Sequence, residues 1–111
     1  MTAYPEKTCD IDRLIRHPKL IEAVVNGQKT QQRRNGIYAY PGEVFTLGGI
    51  EFEVTVLTQQ TIGQMTDQDA QAEGFPSLAQ YKDMILRMHA SMEWNEDALV
   101  WVHTFERRQP K

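Results

Sequence analysis

From Ile50 to Val56 the chain alternates, with Ile50, Phe52, Val54 and Val56 apolar and Glu51, Glu53 and Thr55 polar between them. A period of two predicts a strand with one buried and one wetter face. Gly48-Gly49 separates this run from EVFTL, so the two read as a hairpin. GIYAY, ahead of Pro41-Gly42, is predicted as an earlier strand that ends in a type II turn. ALVWVHTF is continuously apolar and reads as a final strand, central in its sheet.

Other segments follow the helical period. Ile11, Leu14 and Ile15 predict a short first helix that stops before Pro18. Pro18 suits the first position of the next helix, where its missing N–H costs nothing. Leu20, Ile21, Val24 and Val25 give that helix an apolar stripe, and Asn26-Gly27 ends it. Thr66 caps a short helix closed by Gly74, and Ser77 with Gln80 forms a capping box for a longer one. On the longer helix Leu78, Tyr81, Ile85 and Met88 share a face, which predicts core packing. Trp94-Asn95-Glu96-Asp97 reads as a loop. The order is helices, three strands, helices, strand. It predicts an α+β domain with a small, mostly antiparallel barrel or curled sheet and flanking helices.

Composition narrows the function classes. With 111 residues, 41% of them hydrophobic, residues 1–111 make one ordinary domain, and its core is expected at about 17–105 with 106–111 a polar tail. Every apolar run is far shorter than the ~20 residues that cross a bilayer, so no membrane association is expected. MTAYPEKTCD lacks the pattern of a secretion signal, and a cytoplasmic location is expected. A net charge of −3 argues against a general clamp on duplex DNA. It leaves room for a nucleotide or a short single strand, which needs only local charge.

The candidate chemistry is sparse. Cys9 is the one cysteine and sits in no catalytic motif. His17, His89 and His103 have no metal-ligand spacing, so neither a metal nor any other cofactor is expected. His103, within an apolar strand, reads as a structural histidine. GQKTQQRR is different. Lys29, Arg33 and Arg34 crowd between a helix end and a strand. As a charge run alone they describe a solvated connector. A functional site needs a partner carboxylate, for which Glu73, Asp67 and Asp69 are candidates. A lysine beside a glutamate, with a hydroxyl such as Thr30 nearby, suits proton transfer or activation of a nucleophile.

Five pieces in order carry a family resemblance: Gly27-x-Lys29-x-x-x-x-Arg34, Tyr38, Pro41-Gly42-Glu43, Ala70-x-x-Glu73-Gly74-Phe75 and Trp101-Val102-His103-Thr104-Phe105. From about His17 to Phe105 the chain resembles the ASCH domain family of the PUA-like superfamily. The resemblance implies a pseudo-barrel of five to six strands with flanking helices, and a cleft lined by a G-x-K-x-x-T-x-R motif. It implies RNA, a nucleotide or a modified nucleoside as ligand. One bacterial branch is similar to amidohydrolases that deacetylate acetylcytidine with a lysine, a threonine and a glutamate. By position these imply Lys29 and Glu73 as catalytic groups, with Arg34 the motif arginine. The threonine position holds Gln32, whose amide is no oxygen nucleophile; Thr30 or a water would take that role. Three readings follow. The first is a binding module in which Gln32, Arg33, Arg34 and Tyr38 contact the ligand. The second is an amidohydrolase on an acylated nucleoside, using Lys29, Glu73 and Thr30. The third is an interaction protein without a small ligand.

Overall fold

The computed structural model describes residues 4–88 and 94–108. His89 and the polar residues 109–111 lie outside them.

Ile11–Arg13 forms only a single 3-10 turn, although Leu14 and Ile15 behind it are fully buried. The first α-helix, α1, spans Pro18–Val25 with Pro18 at its first position. His17 caps it, Nδ1 accepting from the Lys19 N–H at 3.1 Å. Strand β1 follows at Gln31–Arg34. Strand β2, Val44–Leu47, and strand β3, Ile50–Thr61, form the expected hairpin. At its turn Gly48 and Gly49 both have positive φ (57° and 78°), as a two-residue hairpin of this hand requires. Helix α2, Asp67–Ala72, is closed at its N-terminus by a reciprocal box between Thr66 and Asp69. Helix α3, Leu78–Met88, starts where Ser77 Oγ accepts from the Gln80 N–H. Strand β4, Leu99–Arg107, closes the order.

The four strands make one antiparallel sheet in the order β1-β4-β3-β2, curled into a half-barrel. β4 is central, as its apolar run predicted. Among the described residues there are four strands, where the resemblance implied five to six.

Three local readings change. GIYAY is not a strand. Its backbone is claimed elsewhere: the Ile37 carbonyl by Thr8, the Tyr38 N–H by the His103 ring, the Tyr40 N–H by the Glu43 carboxylate. The first strand is instead the polar QQRR, which pairs with residues 101–104. In β3 the alternation breaks at a bulge between Val54 and Val56. The extra residue reverses the phase, leaving Val56 45% exposed and turning Leu57 inward. Finally, β4 continues through Glu106 and Arg107, paired to Glu53 and Phe52, so the strand reaches into the expected tail.

Two apolar clusters result. The larger joins Leu14, Ile15, Val24, Phe45, Phe52 and Phe105 under the sheet. The smaller joins Met65, Ala70 and Tyr81, with Phe75, Ile85 and Trp94 packed on it. The predicted stripe of α3 is part core and part wall. Tyr81 is buried, Leu78 and Ile85 are half-buried, and Met88 is exposed.

Candidate functional site

Two helix ends deliver the central residues, and both use the same device. After α1, the Gly27 N–H bonds the Val24 carbonyl and the Gln28 N–H reaches back to Ala23. After α2, the Gly74 N–H bonds Gln71 and the Phe75 N–H reaches back to Ala70. These are Schellman closures, each with a glycine at positive φ (78° and 97°). The first places Lys29 one residue past its closure, and the second holds Glu73 as the C-cap of α2. The two ends lie against each other: a methyl group built on Gly74 would lie 3.5 Å from Lys29 Cβ and 3.7 Å from Ala23 Cβ. The Thr30 N–H donates to the Ala72 carbonyl at 2.7 Å and locks the crossing.

Lys29 and Glu73 meet in the interior, 2% and 1% exposed. Lys29 Nζ lies 2.8 Å from Glu73 Oε1 and also donates to the Glu73 carbonyl at 3.0 Å, a favourable place for a cation at a helix C-terminus. Arg33 takes the other carboxylate oxygen, Nη1 to Oε2 at 2.9 Å. Its remaining donors go to Gln31 and Gln60, and Asp69 stands 3.4 Å from Nη2. One buried carboxylate thus serves two buried cations. Burial lowers the Lys29 pKa from the ordinary amine range, and Glu73 opposes that shift.

Around this cluster lies a cavity of about 660 Å³. Lys29, Gln32, Arg33, Arg34, Tyr38 and Glu73 all line it. Gln32 Nε2 donates to the Arg33 carbonyl, which fixes the amide orientation. Its Oε1 is buried and has no partner among the described residues. Arg34 is held by the carbonyls of Leu14 and Arg13, with its guanidinium 5.3 Å from the Tyr38 ring centre. Behind β1, His103 is fully buried: Nδ1–H donates to the Gln32 carbonyl and Nε2 accepts from the Tyr38 N–H. The ring is therefore neutral, and burial lowers its pKa. It ties β1 to the Tyr38 segment and is not among the residues that line the cavity. Thr30 does not join the cluster. It is exposed and lines a different hollow, with Phe52 and Phe105.

The sequence reading missed the apolar wall. Phe75, Tyr81, Met84, Ile85 and Trp94 also line the cavity. Helical spacing makes Tyr81 and Ile85 core and Trp94 reads as loop, and only the hydroxyl of Tyr81 in that stripe hints otherwise. Arg16 and His17 at the mouth were missed as well. The available signal was a cation just ahead of a helix N-terminus, where the dipole disfavours it.

A curled antiparallel sheet of four strands with three flanking helices gives the class by fold. No family model matches the sequence, and no curated protein does. Solved structures do match. An ASCH domain from Lactobacillus crispatus JV V101 superposes with TM-score 0.65 at 16% identity, over 80% of this chain and 70% of that one. The protein EF3133 from Enterococcus faecalis V583, of family model DUF984, superposes with TM-score 0.63 at 19% identity, over 81% of this chain and 67% of that one. The chain has the ASCH-domain fold. Among the described residues no helix is long and apolar enough to cross a membrane.

Proposed function

We propose that the cavity binds a nucleotide or modified nucleoside, free or at the end of an RNA strand. The observation that carries this reading is one concavity that joins a buried ionic cluster to an aromatic wall. Its volume of about 660 Å³ falls in the usual range for small-ligand sites. Tyr81, Phe75 and Trp94 offer faces and edges to a base. Gln32 Oε1 is an acceptor without a donor, which the N–H of a base or a bridging water would relieve. Lys29 and Arg33 are already paired, both with Glu73 and Arg33 also with Asp69, so their task is to hold polar groups in place rather than to attract phosphate. Calorimetric titration with cytidine and acetylcytidine tests the reading. Saturable binding is expected, weakened about tenfold in Gln32→Leu by the loss of one hydrogen bond to a buried group. No binding of any of these nucleosides or of their 5′-monophosphates up to millimolar concentration overturns it.

A second reading has its own support in the buried Lys29–Glu73 couple. An amine made less basic by burial can take a proton from water and return it to a leaving nitrogen. The water oxygen would bond to the acetyl carbon, the carbon–nitrogen bond would break, and acetate and the free amine would leave. Two features oppose efficient turnover. Gln32 stands at the hydroxyl position, and Thr30 lies outside the cavity. We expect little acetate from acetylcytidine with the wild type and more with Gln32→Thr. Robust wild-type turnover that survives Thr30→Ala and vanishes in Lys29→Ala would identify water as the nucleophile.

A further inference from the structure

The mouth of the cavity differs in charge from the rest of the molecule. Four cationic side chains, Arg16, Lys29, Arg33 and Arg34, line the cavity, and Glu73 is the one acid among its described lining residues. The chain as a whole carries −3. Glu73 is spent on Lys29 and Arg33, with Asp69 backing Arg33 from the side. Arg34 has only neutral carbonyl partners, and Arg16 makes no ion pair among the described residues. Two guanidinium charges are thus left at the mouth without a counter-charge. His17 lines the same cavity; because its Nδ1 accepts from the Lys19 N–H, the ring proton sits on Nε2, available as a further donor. Arg34 is already aimed, since Leu14 and Arg13 hold Nε and Nη2 while the Tyr38 ring covers one face. That leaves Nη1 to a ligand.

We infer that Arg16, His17 and Arg34 form a phosphate subsite at the cavity mouth, so that the ligand is a phosphorylated nucleoside with its base held deeper, toward Gln32. This rests on the nucleoside reading above and adds the group that reading leaves open. The held guanidinium fork of Arg34, with the exposed Arg16 beside the same cavity, suits a phosphomonoester, which presents several strong acceptors. A base stacked on the aromatic wall and a phosphate at the mouth make one ligand span the cavity. The phosphate comes either from a free mononucleotide or from the 5′ end of an RNA strand, and the chemistry of recognition is the same.

The test compares cytidine and adenosine with their 5′-monophosphates by calorimetry, in wild type, Arg16→Gln and Lys19→Gln. Lys19 lies three residues from Arg16, in the first turn of α1 and outside the cavity lining; its variant removes the same charge from the side chain and keeps the backbone N–H that bonds His17. The monophosphates are expected to bind at least about tenfold tighter than the nucleosides in the wild type and in Lys19→Gln, as one or two charge-assisted contacts imply. In Arg16→Gln that preference should shrink several-fold while nucleoside affinity stays put, and circular dichroism should show an unchanged fold. Equal affinity for the phosphorylated and unphosphorylated forms overturns the subsite and leaves the nucleoside reading intact. An equal loss in Arg16→Gln and Lys19→Gln also overturns it, since a general field and not a subsite would then be at work. No binding by any of the four compounds overturns both proposals together. A tetranucleotide with and without a 5′-phosphate separates the two sources: preference for the phosphorylated strand assigns an RNA end, and its absence alongside mononucleotide preference assigns the free nucleotide.

Discussion

At the buried cluster the arithmetic of charge decides which substitution hurts most. Removing Lys29 leaves Glu73 still paired with Arg33 at 2.9 Å. Removing the Glu73 charge instead leaves two cations, Lys29 and Arg33, facing each other in a desolvated space. Breaking a buried pair costs about 3–5 kcal/mol when one charge is left uncompensated. Glu73→Gln should therefore sit near the top of that range and Lys29→Met near or below its bottom, measured as urea unfolding free energies. The reverse order would mean that Asp69, 3.4 Å from Arg33, compensates more than its half-exposed position suggests. Much of this site was legible in the sequence. A lysine two residues past Asn-Gly and a glutamate just before Gly-Phe stand out, because both lie beside helix-end signals. The role of Arg33 was not legible. As a member of a charge run it looked solvated, and only the pairing of β1 with β4 carries it inside. Thr30 stays out of the cluster for a related reason: it is exposed just ahead of β1, while the Lys29 side chain turns inward to Glu73.

Between residues and fold stand the elements, and there the turns were easier to read than the strands. Glycine and capping pairs act locally, so Pro18, the Gly48-Gly49 hairpin and the Thr66 cap all sit where the sequence placed them. Pairing is not local. Nothing within GIYAY says that Thr8, His103 and Glu43 will take its backbone groups. The bulge in β3 offers a direct check. If the alternation had continued, Val56 would be core; with the bulge, Leu57 is. Leu57→Ala should cost about 2–5 kcal/mol as a cavity-forming change, while Val56→Thr should stay within about 0.5 kcal/mol. Thermal unfolding of the two variants decides the register. Gly74 gives a second check at this scale. Its φ of 97° is a conformation that a side chain resists, and space for a methyl group is adequate. Gly74→Ala should lose about 1–2 kcal/mol through backbone strain alone. It should also weaken ligand binding, because the same closure positions Glu73.

For the whole molecule the pH dependence of stability links the sheet to the site. His103 bridges β1 and the Tyr38 segment with one nitrogen donating and the other accepting, so a second ring proton would break the bond from the Tyr38 N–H. Burial lowers its folded pKa below the ordinary 6.5. The unfolded chain then binds a proton that the folded chain refuses. Stability must rise with pH across the window between the folded pKa and 6.5, and it is lost as pH falls below 6.5. A single fully coupled proton gives a slope of about 1.4 kcal/mol per pH unit. Lys29 behaves in the same sense at the alkaline end. Its folded pKa is lowered from 10.5, so its contribution grows as pH rises toward 10.5, and proteins that differ only at His103 share it. The acid limb is therefore the informative one. Unfolding free energies from pH 7.5 to 5.0 should fall steeply below pH 6.5 in the wild type and much less in His103→Gln, where the amide keeps a hydrogen-bonding group near the Tyr38 N–H and has no proton to gain. His103→Gln will be less stable overall, but the comparison uses the slope and not the offset. Equal slopes in the two proteins would mean that carboxylates carry the acid limb, and that the neutral histidine aligns β1 without linking the fold to pH.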